Sequence, residues 1–92
     1  MSGETVRRRV VAHGDVQGVF FRDTTRREAN GRGVAGWVTN RADGAVEAVF
    51  EGADEDVEAM VRFMRSGPSR ADVRDVEVSE EEPEGLVGFR VT

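Results

Sequence analysis

Apolar and polar residues alternate along several stretches of the chain, while in two other stretches apolar residues recur at every third or fourth position. Alternation is typical of β-strands with one buried face, and the wider spacing is typical of amphipathic helices. The pattern predicts five strands and two helices, in the order β-α-β-β-α-β with one more short strand at the end.

Turn and capping residues mark the ends of these elements. Asp54 is predicted to cap the second helix, and a glycine-proline pair ends it. The pair Asp43 and Gly44 predicts a hairpin turn between the second and third strands. Residues 80–85 are expected to form a solvated acidic loop. The predicted strands cover about residues 5–13, 34–40, 45–51, 71–79 and 86–91, and the predicted helices cover about residues 21–30 and 55–66.

The arrangement of these elements predicts the fold class. Phe21, Thr25 and Ala29 share one face of the first helix, so that face is expected to be buried. Crossovers of this type put both helices on the same side of the sheet, with the first and third strands as central neighbours. The third strand is expected to keep a largely solvated outer face. We therefore expect an α/β fold of the α+β kind, a ferredoxin-like two-layer sandwich with two helices on one face of a mostly antiparallel sheet. Residues 1–92 are expected to form one domain, with a flexible N-terminus at residues 1–5.

Composition narrows the classes of function. The 92 residues include no cysteine, which excludes disulfides, thiol catalysis and thiolate metal sites, and the single histidine, His13, argues against a histidine-based metal cluster. The net charge of -5 argues against general nucleic-acid binding. No apolar run reaches about 20 residues and no secretory signal is recognised, so we expect a cytoplasmic protein without a membrane span. All 13 basic residues are arginine, which fits either a GC-rich genome or adaptation to high salt.

The stretch from His13 to Arg22 joins the first strand to the first helix through a loop that contains glycine. Such a loop gathers backbone N–H groups, and the helix N-terminus adds partial positive charge. Arg22 adds a planar fork of donors at the first helical turn. The second strand ends at Asn40, which this topology brings towards the loop. These features predict a small anion site, for a phosphate or a carboxylate, with Arg22 and Asn40 facing one pocket.

Each of these residues also has a purely structural interpretation. Arg22 alone would be a surface arginine of a helix, and Asn40 alone would be a turn residue. Gln17 would cap the loop from within, and Gly14 and Gly18 would permit positive φ angles. Residue type alone does not decide between the two interpretations.

Two segments resemble the signatures of a known family. Residues 14–22, GDVQGVFFR, are similar to the first acylphosphatase signature, G-x-V-Q-G-V-x-F-R. Residues 36–47, GWVTNRADGAVE, are similar to the second, G-W-V-x-N-x-x-D-G-x-V-E. Three later segments, at 65–68, 76–78 and 88–91, also resemble that family. The chain is therefore similar to a stand-alone acylphosphatase over nearly its whole length.

The resemblance implies hydrolysis of the carboxyl–phosphate bond of acyl phosphates, which gives a carboxylate and inorganic phosphate. It implies that Arg22 binds the phosphoryl group and that Asn40 positions the attacking water. No metal, other cofactor or covalent enzyme intermediate is expected. The expected partner is a small-molecule acyl phosphate, with no nucleic acid, no membrane and a monomeric state. The backbone N–H groups that would cradle the phosphate belong to Asp15, Val16, Gln17, Gly18, Val19 and Phe20.

Three departures from the family pattern affect these expectations. Asp15 places a carboxylate beside the anion loop, which predicts a lower phosphate affinity unless the side chain points to solvent. Arg41 and Ala45 stand where hydroxyl residues are often found, so possible support for Asn40 is missing. Arg32 replaces an apolar residue and is expected to loosen the packing of the first helix.

Three other functions compete with this one. A non-catalytic ferredoxin-like module that binds a phosphate- or carboxylate-bearing metabolite would use Arg22 but would not need Asn40. An RNA-binding sheet is disfavoured by the acidic charge and by the lack of an aromatic pair on a central strand. The amino-terminal part of a larger carbamoyl-transfer enzyme resembles the same family, but the sequence ends at Thr92, so we expect the stand-alone form.

Overall fold

A computed structural model describes residues 4–92 and contains the seven elements in the predicted order. The prediction of a flexible N-terminus at residues 1–5 falls mainly on residues 1–3, which lie outside the described range, whereas Thr5 already belongs to the first strand. The elements are β1 (Thr5–Asp15), α1 (Phe21–Arg32), β2 (Ala35–Asn40), β3 (Val46–Ala53), α2 (Asp54–Ser66), β4 (Asp72–Glu81) and β5 (Phe89–Val91).

The five strands form one sheet in the order β4-β1-β3-β2-β5. Every neighbouring pair is antiparallel except β2 and β5, which are parallel. In the centre, Val10 of β1 lies opposite Ala48 of β3 on one side and Val78 of β4 on the other. α1 packs on β2 and β5, while α2 packs on β1 and β4. The predicted two-layer sandwich with central strands β1 and β3 is confirmed.

The hydrophobic core lies between the two helices and the sheet. The first helix buries Phe21, Thr25 and Ala29, as the spacing predicts. The ring of Phe21 meets Phe63 of α2 edge to face at 6.1 Å, which joins the two helices. Neither helix within residues 4–92 is long and apolar enough to cross a membrane. The fully or almost fully buried members of the core include Val10, Val16, Phe21, Val38, Val46, Phe50, Val57, Met60 and Met64.

The start of α2 differs from the prediction. The helix begins at Asp54 itself, and its N-cap is Ala53, which makes no side-chain cap bond. Asp54, Glu55 and Asp56 all lie in the first turn, where negative charge is stabilised by the positive end of the helix dipole. The side chain of Asp56 also lies 3.8 Å from that of Arg32 at the end of α1. Arg32 is therefore at the surface, in a contact between the helices, and does not enter the core.

The outer face of the sheet, on the side away from the helices, is covered by charged side chains. The prediction of a solvated outer face on β3 is wrong, since Glu51 is 3% exposed and Val49 is 0% exposed. Val49 lies opposite Arg9 of β1 and Trp37 of β2. The Arg9 guanidinium lies 5.4 Å from the centroid of the Trp37 ring, close enough for a cation–π contact. These two large side chains flank Val49 and shield it from water.

Glu51 is a buried carboxylate that fixes a later segment of the chain. Its oxygens accept hydrogen bonds from the backbone N–H groups of Glu84, Gly85 and Leu86 at 2.8, 2.8 and 2.7 Å. Arg7, which is only 4% exposed, donates to the same carboxylate at 3.3 Å. Burial alone would raise the pKa of Glu51, but these donors outweigh it and hold the pKa below the ordinary value of 4.5. The terminal strand begins at Phe89 and not at the predicted residue 86, and the N–H group of Leu86 is directed to Glu51 instead of to a neighbouring strand.

Glu81 belongs to β4 and not to the solvated loop that the acidic run predicts. Its carboxylate accepts hydrogen bonds from Arg9 Nε at 2.6 Å and from Arg7 Nε at 2.8 Å. These bonds, from Arg9 first and then Arg7, lower the pKa of Glu81. Arg9 also donates to Glu47 of β3. The ion pairs thus connect three neighbouring strands across the outer face.

We expect the free energy of unfolding to fall as the pH drops below the ordinary glutamate value of 4.5, because the unfolded chain binds protons there while the folded chain keeps Glu51 and Glu81 ionised. Glu51→Gln is expected to be about 3 kcal/mol less stable at neutral pH. In this variant one acceptor oxygen becomes an N–H₂ donor, and Arg7 loses a buried partner. Its stability should also decline less steeply on acidification. Urea unfolding at a series of pH values measures both effects.

Glu80→Gln is the matched control, since Glu80 is exposed and lies 3.9 Å from Arg8. Its free energy of unfolding should stay within about 0.5 kcal/mol of the wild type. Wild-type stability of Glu51→Gln at neutral pH, with the same acid dependence as the wild type, would contradict this account of the outer face.

Candidate anion-binding site

A cavity of about 370 Å³ opens where the β1–α1 loop meets the ends of β2 and β5. Arg22 and Asn40, which the sequence analysis selected from separate segments, both line it. So do Val16, Gly18 and Phe20 of the loop. The remaining lining residues are Phe21, Asp23, Arg26 and Val91.

The loop before α1 leaves its backbone donors unpaired. Gly18 has φ 75° and Phe20 has φ 62°, so the chain passes twice through the left-handed region within three residues. The first hydrogen bond of the helix runs from the N–H of Thr24 to the carbonyl of Phe20. Within residues 4–92, no hydrogen bond to a protein acceptor uses the N–H groups of residues 17–20. Alternating backbone conformations with free N–H groups form an anion-binding concavity, and the helix N-terminus adds to its positive potential.

Arg22 lies in the first turn of α1 and is partly buried. Its Nη1 donates to the backbone oxygen of Thr92 at 3.0 Å, and this is its one hydrogen bond to the residues that the structure describes. Thr92 in turn donates its N–H to Val38 of β2 at 2.9 Å. A guanidinium carries five N–H donors. One therefore holds Arg22 at the edge of the cavity, and the others remain for an anion.

Asn40 is the last residue of β2 and stands directly before the hairpin. Its side-chain amide makes no hydrogen bond within the described part of the chain. The hairpin behind it is closed by Asp43, whose Oδ1 accepts from the N–H of Ala45 at 3.1 Å. This hydrogen bond and the neighbouring Arg41 guanidinium lower the pKa of Asp43. The side-chain amide of Asn40 is thus free to bind a ligand, and it stands directly before a turn that Asp43 holds closed.

Gln17 joins the loop to this hairpin. Its Nε2 donates to the carbonyl of Arg41 at 2.8 Å and to the carbonyl of Ala45 at 3.0 Å. The structural alternative, in which Gln17 caps the loop from within, does not hold, because both acceptors belong to another segment. The two hydrogen bonds set the loop in place relative to Asn40.

Asp15 lies in β1, one residue before the loop, so the predicted loop begins too early. Its side chain is 76% exposed and lies 3.6 Å from Arg74 of β4. The preceding Gly14 has φ 126° at a bulge, and a Cβ there would lie 2.2 Å from the carbonyl oxygen of Asp72. The carboxylate of Asp15 is therefore paired with an arginine and does not line the cavity.

The sequence analysis missed two charged lining residues, Asp23 and Arg26. The carboxylate of Asp23 lies 3.0 Å from Arg26 and 3.5 Å from Arg27. The spacing could have identified Arg26, because it follows Arg22 by four residues and residues four apart share a helix face.

His13 does not line the cavity, and it meets two carboxylates on the outer face. Its Nε2 lies 2.6 Å from Glu77 Oε2, and one oxygen of Asp75 lies within 4.8 Å of both. This grouping contains one histidine and two carboxylates from neighbouring strands, and the expectation that the chain has no histidine-based metal cluster stays a prediction. The cluster is largely exposed and stands apart from Arg22 and Asn40.

The family profile and the sequence relatives of this chain name the same family. The acylphosphatase family profile matches residues 8–91. The chain is 59% identical over 85 residues to the acylphosphatase of Haloarcula marismortui, which covers 92% of this chain and 93% of that protein. The fold matches the crystal structure of an acylphosphatase from Bacillus subtilis with a TM-score of 0.91 at 36% identity, covering 95% of this chain and 98% of that one. It also matches full-length HypF in a phosphate- and nucleotide-bound form, with a TM-score of 0.90 at 26% identity, covering 100% of this chain and 12% of that one.

We expect Gln17→Met to lower the free energy of unfolding by about 1 kcal/mol, because the isosteric side chain loses both hydrogen bonds to the hairpin. Arg41→Met is the control from the partner segment. It removes only the exposed pair with Asp43 and leaves the backbone acceptor in place, so its effect should stay within about 0.5 kcal/mol. Urea unfolding at neutral pH compares the two variants. Equal effects would show that Gln17 does not hold the loop to the hairpin.

Proposed function

The chain belongs to the acylphosphatase family, and it is an enzyme that hydrolyses acyl phosphates to a carboxylate and inorganic phosphate; we propose that the cavity between the β1–α1 loop and Asn40 is its active site. One observation carries this proposal. Arg22 and Asn40 line the same cavity, beside a loop whose backbone N–H groups are unpaired. A cation, a set of neutral donors and a side-chain amide are thereby combined in one place.

The phosphoryl group binds first. The guanidinium of Arg22 donates hydrogen bonds to two phosphoryl oxygens in a bidentate contact, and the N–H groups of the loop stabilise the remaining negative charge of the phosphoryl group. The loop donors are those of Val16, Gln17, Gly18, Val19 and Phe20. Asp15 contributes at most its backbone, because its side chain faces Arg74.

Asn40 orients the attacking water from the other side of the cavity. The water oxygen forms a bond to phosphorus while the bond between phosphorus and the carboxyl oxygen breaks. The carboxylate leaves with the electron pair, and a proton of the water passes to a phosphate oxygen. An amide is too weak a base to take that proton, so the substrate's own phosphate accepts it.

The positive charges and donors of the site suit this reaction. Phosphoryl transfer passes through a loose transition state, so catalysis depends on positioning and on stabilising charge over the equatorial oxygens. A carboxylate is also a good leaving group, which reduces the need for a general acid. We therefore propose that Arg22 and the loop supply the main stabilisation, with no metal or other cofactor and no covalent intermediate.

A non-catalytic module that binds a phosphate- or carboxylate-bearing metabolite is not favoured. Relatives that match nearly the whole chain are named acylphosphatases. Such a module would also have no use for an amide that leaves its hydrogen-bonding groups free at the cavity.

We further propose that residues 1–92 form a single domain that acts as a monomer in the cytoplasm, without nucleic acid or membrane. The net charge of -5 supports the absence of nucleic-acid binding, because a phosphate backbone would be repelled. One hydrophobic core cluster joins both helices and the sheet, which supports a single domain.

Arg22→Lys should lower kcat/KM for acyl phosphates by about 100-fold or more, because a point charge does not reproduce the bidentate contact. A continuous assay with benzoyl phosphate, run with a chelator present, measures the loss. Arg27→Lys is the matched control, since Arg27 is 70% exposed and pairs only at 3.5 Å with Asp23. Near-normal turnover by Arg22→Lys would refute the assigned role.

Asn40→Ala should lower kcat by about 100-fold or more while the inhibition constant of inorganic phosphate stays within about twofold, because the amide orients the water and not the phosphate. Steady-state kinetics with phosphate as competitive inhibitor separates the two parameters. Asn30→Ala, on the exposed side of α1, serves as the control. A large loss of phosphate binding in Asn40→Ala would contradict the water-positioning role.

A further inference from the structure

The cavity has an apolar rim that phosphate binding does not use. Four large apolar side chains are exposed within residues 4–92, at Phe20, Val78, Val87 and Val91. Two of them, Phe20 and Val91, line this one cavity. Phe20 is 71% exposed, so most of an aromatic ring stands in water beside the anion-binding loop.

The backbone conformation of Phe20 also indicates a functional role for this residue. Its φ of 62° and ψ of 25° are left-handed, a conformation in which a bulky side chain is a true outlier. A ring that is mostly in water gains little from packing, so folding alone does not account for an aromatic residue here. Strained residues of this kind cluster at sites of function.

The charges near the rim indicate what kind of group it accepts. Besides Arg22, the charged lining residues are Asp23 and Arg26, which form an ion pair at 3.0 Å. Their charges balance, and an anionic group entering there would meet the carboxylate of Asp23 as well as Arg26. Beyond the phosphate-binding groups, the lining therefore carries no net charge, and Phe20 and Val91 are its exposed apolar side chains.

We propose that the ring of Phe20, together with Val91, binds the acyl group of the substrate and favours acyl phosphates whose acyl group is aromatic or otherwise apolar. This inference rests on the proposed active site, because it takes the phosphoryl group to lie at Arg22. The bound acyl group then covers the exposed ring, which gives a stacking or edge contact with an aromatic substrate. Phe20 is thus a specificity-determining residue.

The test compares benzoyl phosphate with acetyl phosphate. Phe20→Asn removes the ring but keeps a residue that tolerates left-handed backbone. The ratio of kcat/KM for benzoyl phosphate to that for acetyl phosphate should fall about fivefold to tenfold, through KM rather than kcat. Phe20→Leu retains apolar surface, so its ratio should fall less. Because the two substrates share the phosphoryl group, a general disturbance of the loop cancels in this ratio.

Val87→Asn is the control for loss of an exposed apolar side chain, since Val87 is 94% exposed and does not line the cavity. Its rates and its ratio should match those of the wild type. An unchanged ratio in Phe20→Asn, or equal losses on both substrates, would overturn the proposal. Failure of the active site itself has a different signature: Arg22→Lys and Asn40→Ala would then retain turnover on both substrates, whatever the ratio in Phe20→Asn.

Discussion

A loop that binds an anion through its backbone must keep its N–H groups unpaired, so it cannot be held by its own hydrogen bonds. In this chain the loop is fixed by side chains instead. Val16 at its start and Phe21 at its end are both buried in the core. Between them, the amide of Gln17 fastens the loop to the β2–β3 hairpin. The same contacts that hold the donors open also set their position relative to Asn40, so the fold and the site share one constraint.

The outer face of the sheet must also be covered without regular secondary structure. A two-layer sandwich covers only one face with helices, and here the other face is closed by ion pairs and a chain segment. Arg7 and Glu51 are almost fully buried in this layer, and both find several partners. Buried charge is costly unless it is paired and hydrogen-bonded, and here no buried side-chain polar atom within the described residues lacks a partner. The charged layer therefore acts as a second, polar core.

Features that are local in sequence were predictable, and those that depend on distant segments were not. The order of the elements follows from the spacing of apolar residues, and the two signatures identify Arg22 and Asn40 from the sequence alone. The alternating pattern of β3, however, does not distinguish a solvated glutamate from Glu51, whose partners lie more than 30 residues away. The partners of Gln17 are similarly remote. Asp54 was misplaced for a different reason, because aspartate suits both the cap and the first turn of a helix.

The cavity wall formed by the edge strand β5 differs in local stability from the rest of the sheet. It pairs with one neighbour over three register positions, whereas the central strands are bonded on both sides. Such an element opens locally at a lower free energy than the core, on the scale that amide hydrogen exchange measures. Because Val91 lines the cavity and Thr92 accepts from one donor of Arg22, this local opening changes the shape of the cavity while the molecule stays folded. The segment before β5 is hydrogen-bonded to Glu51, so a carboxylate on the outer face of the sheet anchors the chain that leads into this wall of the cavity.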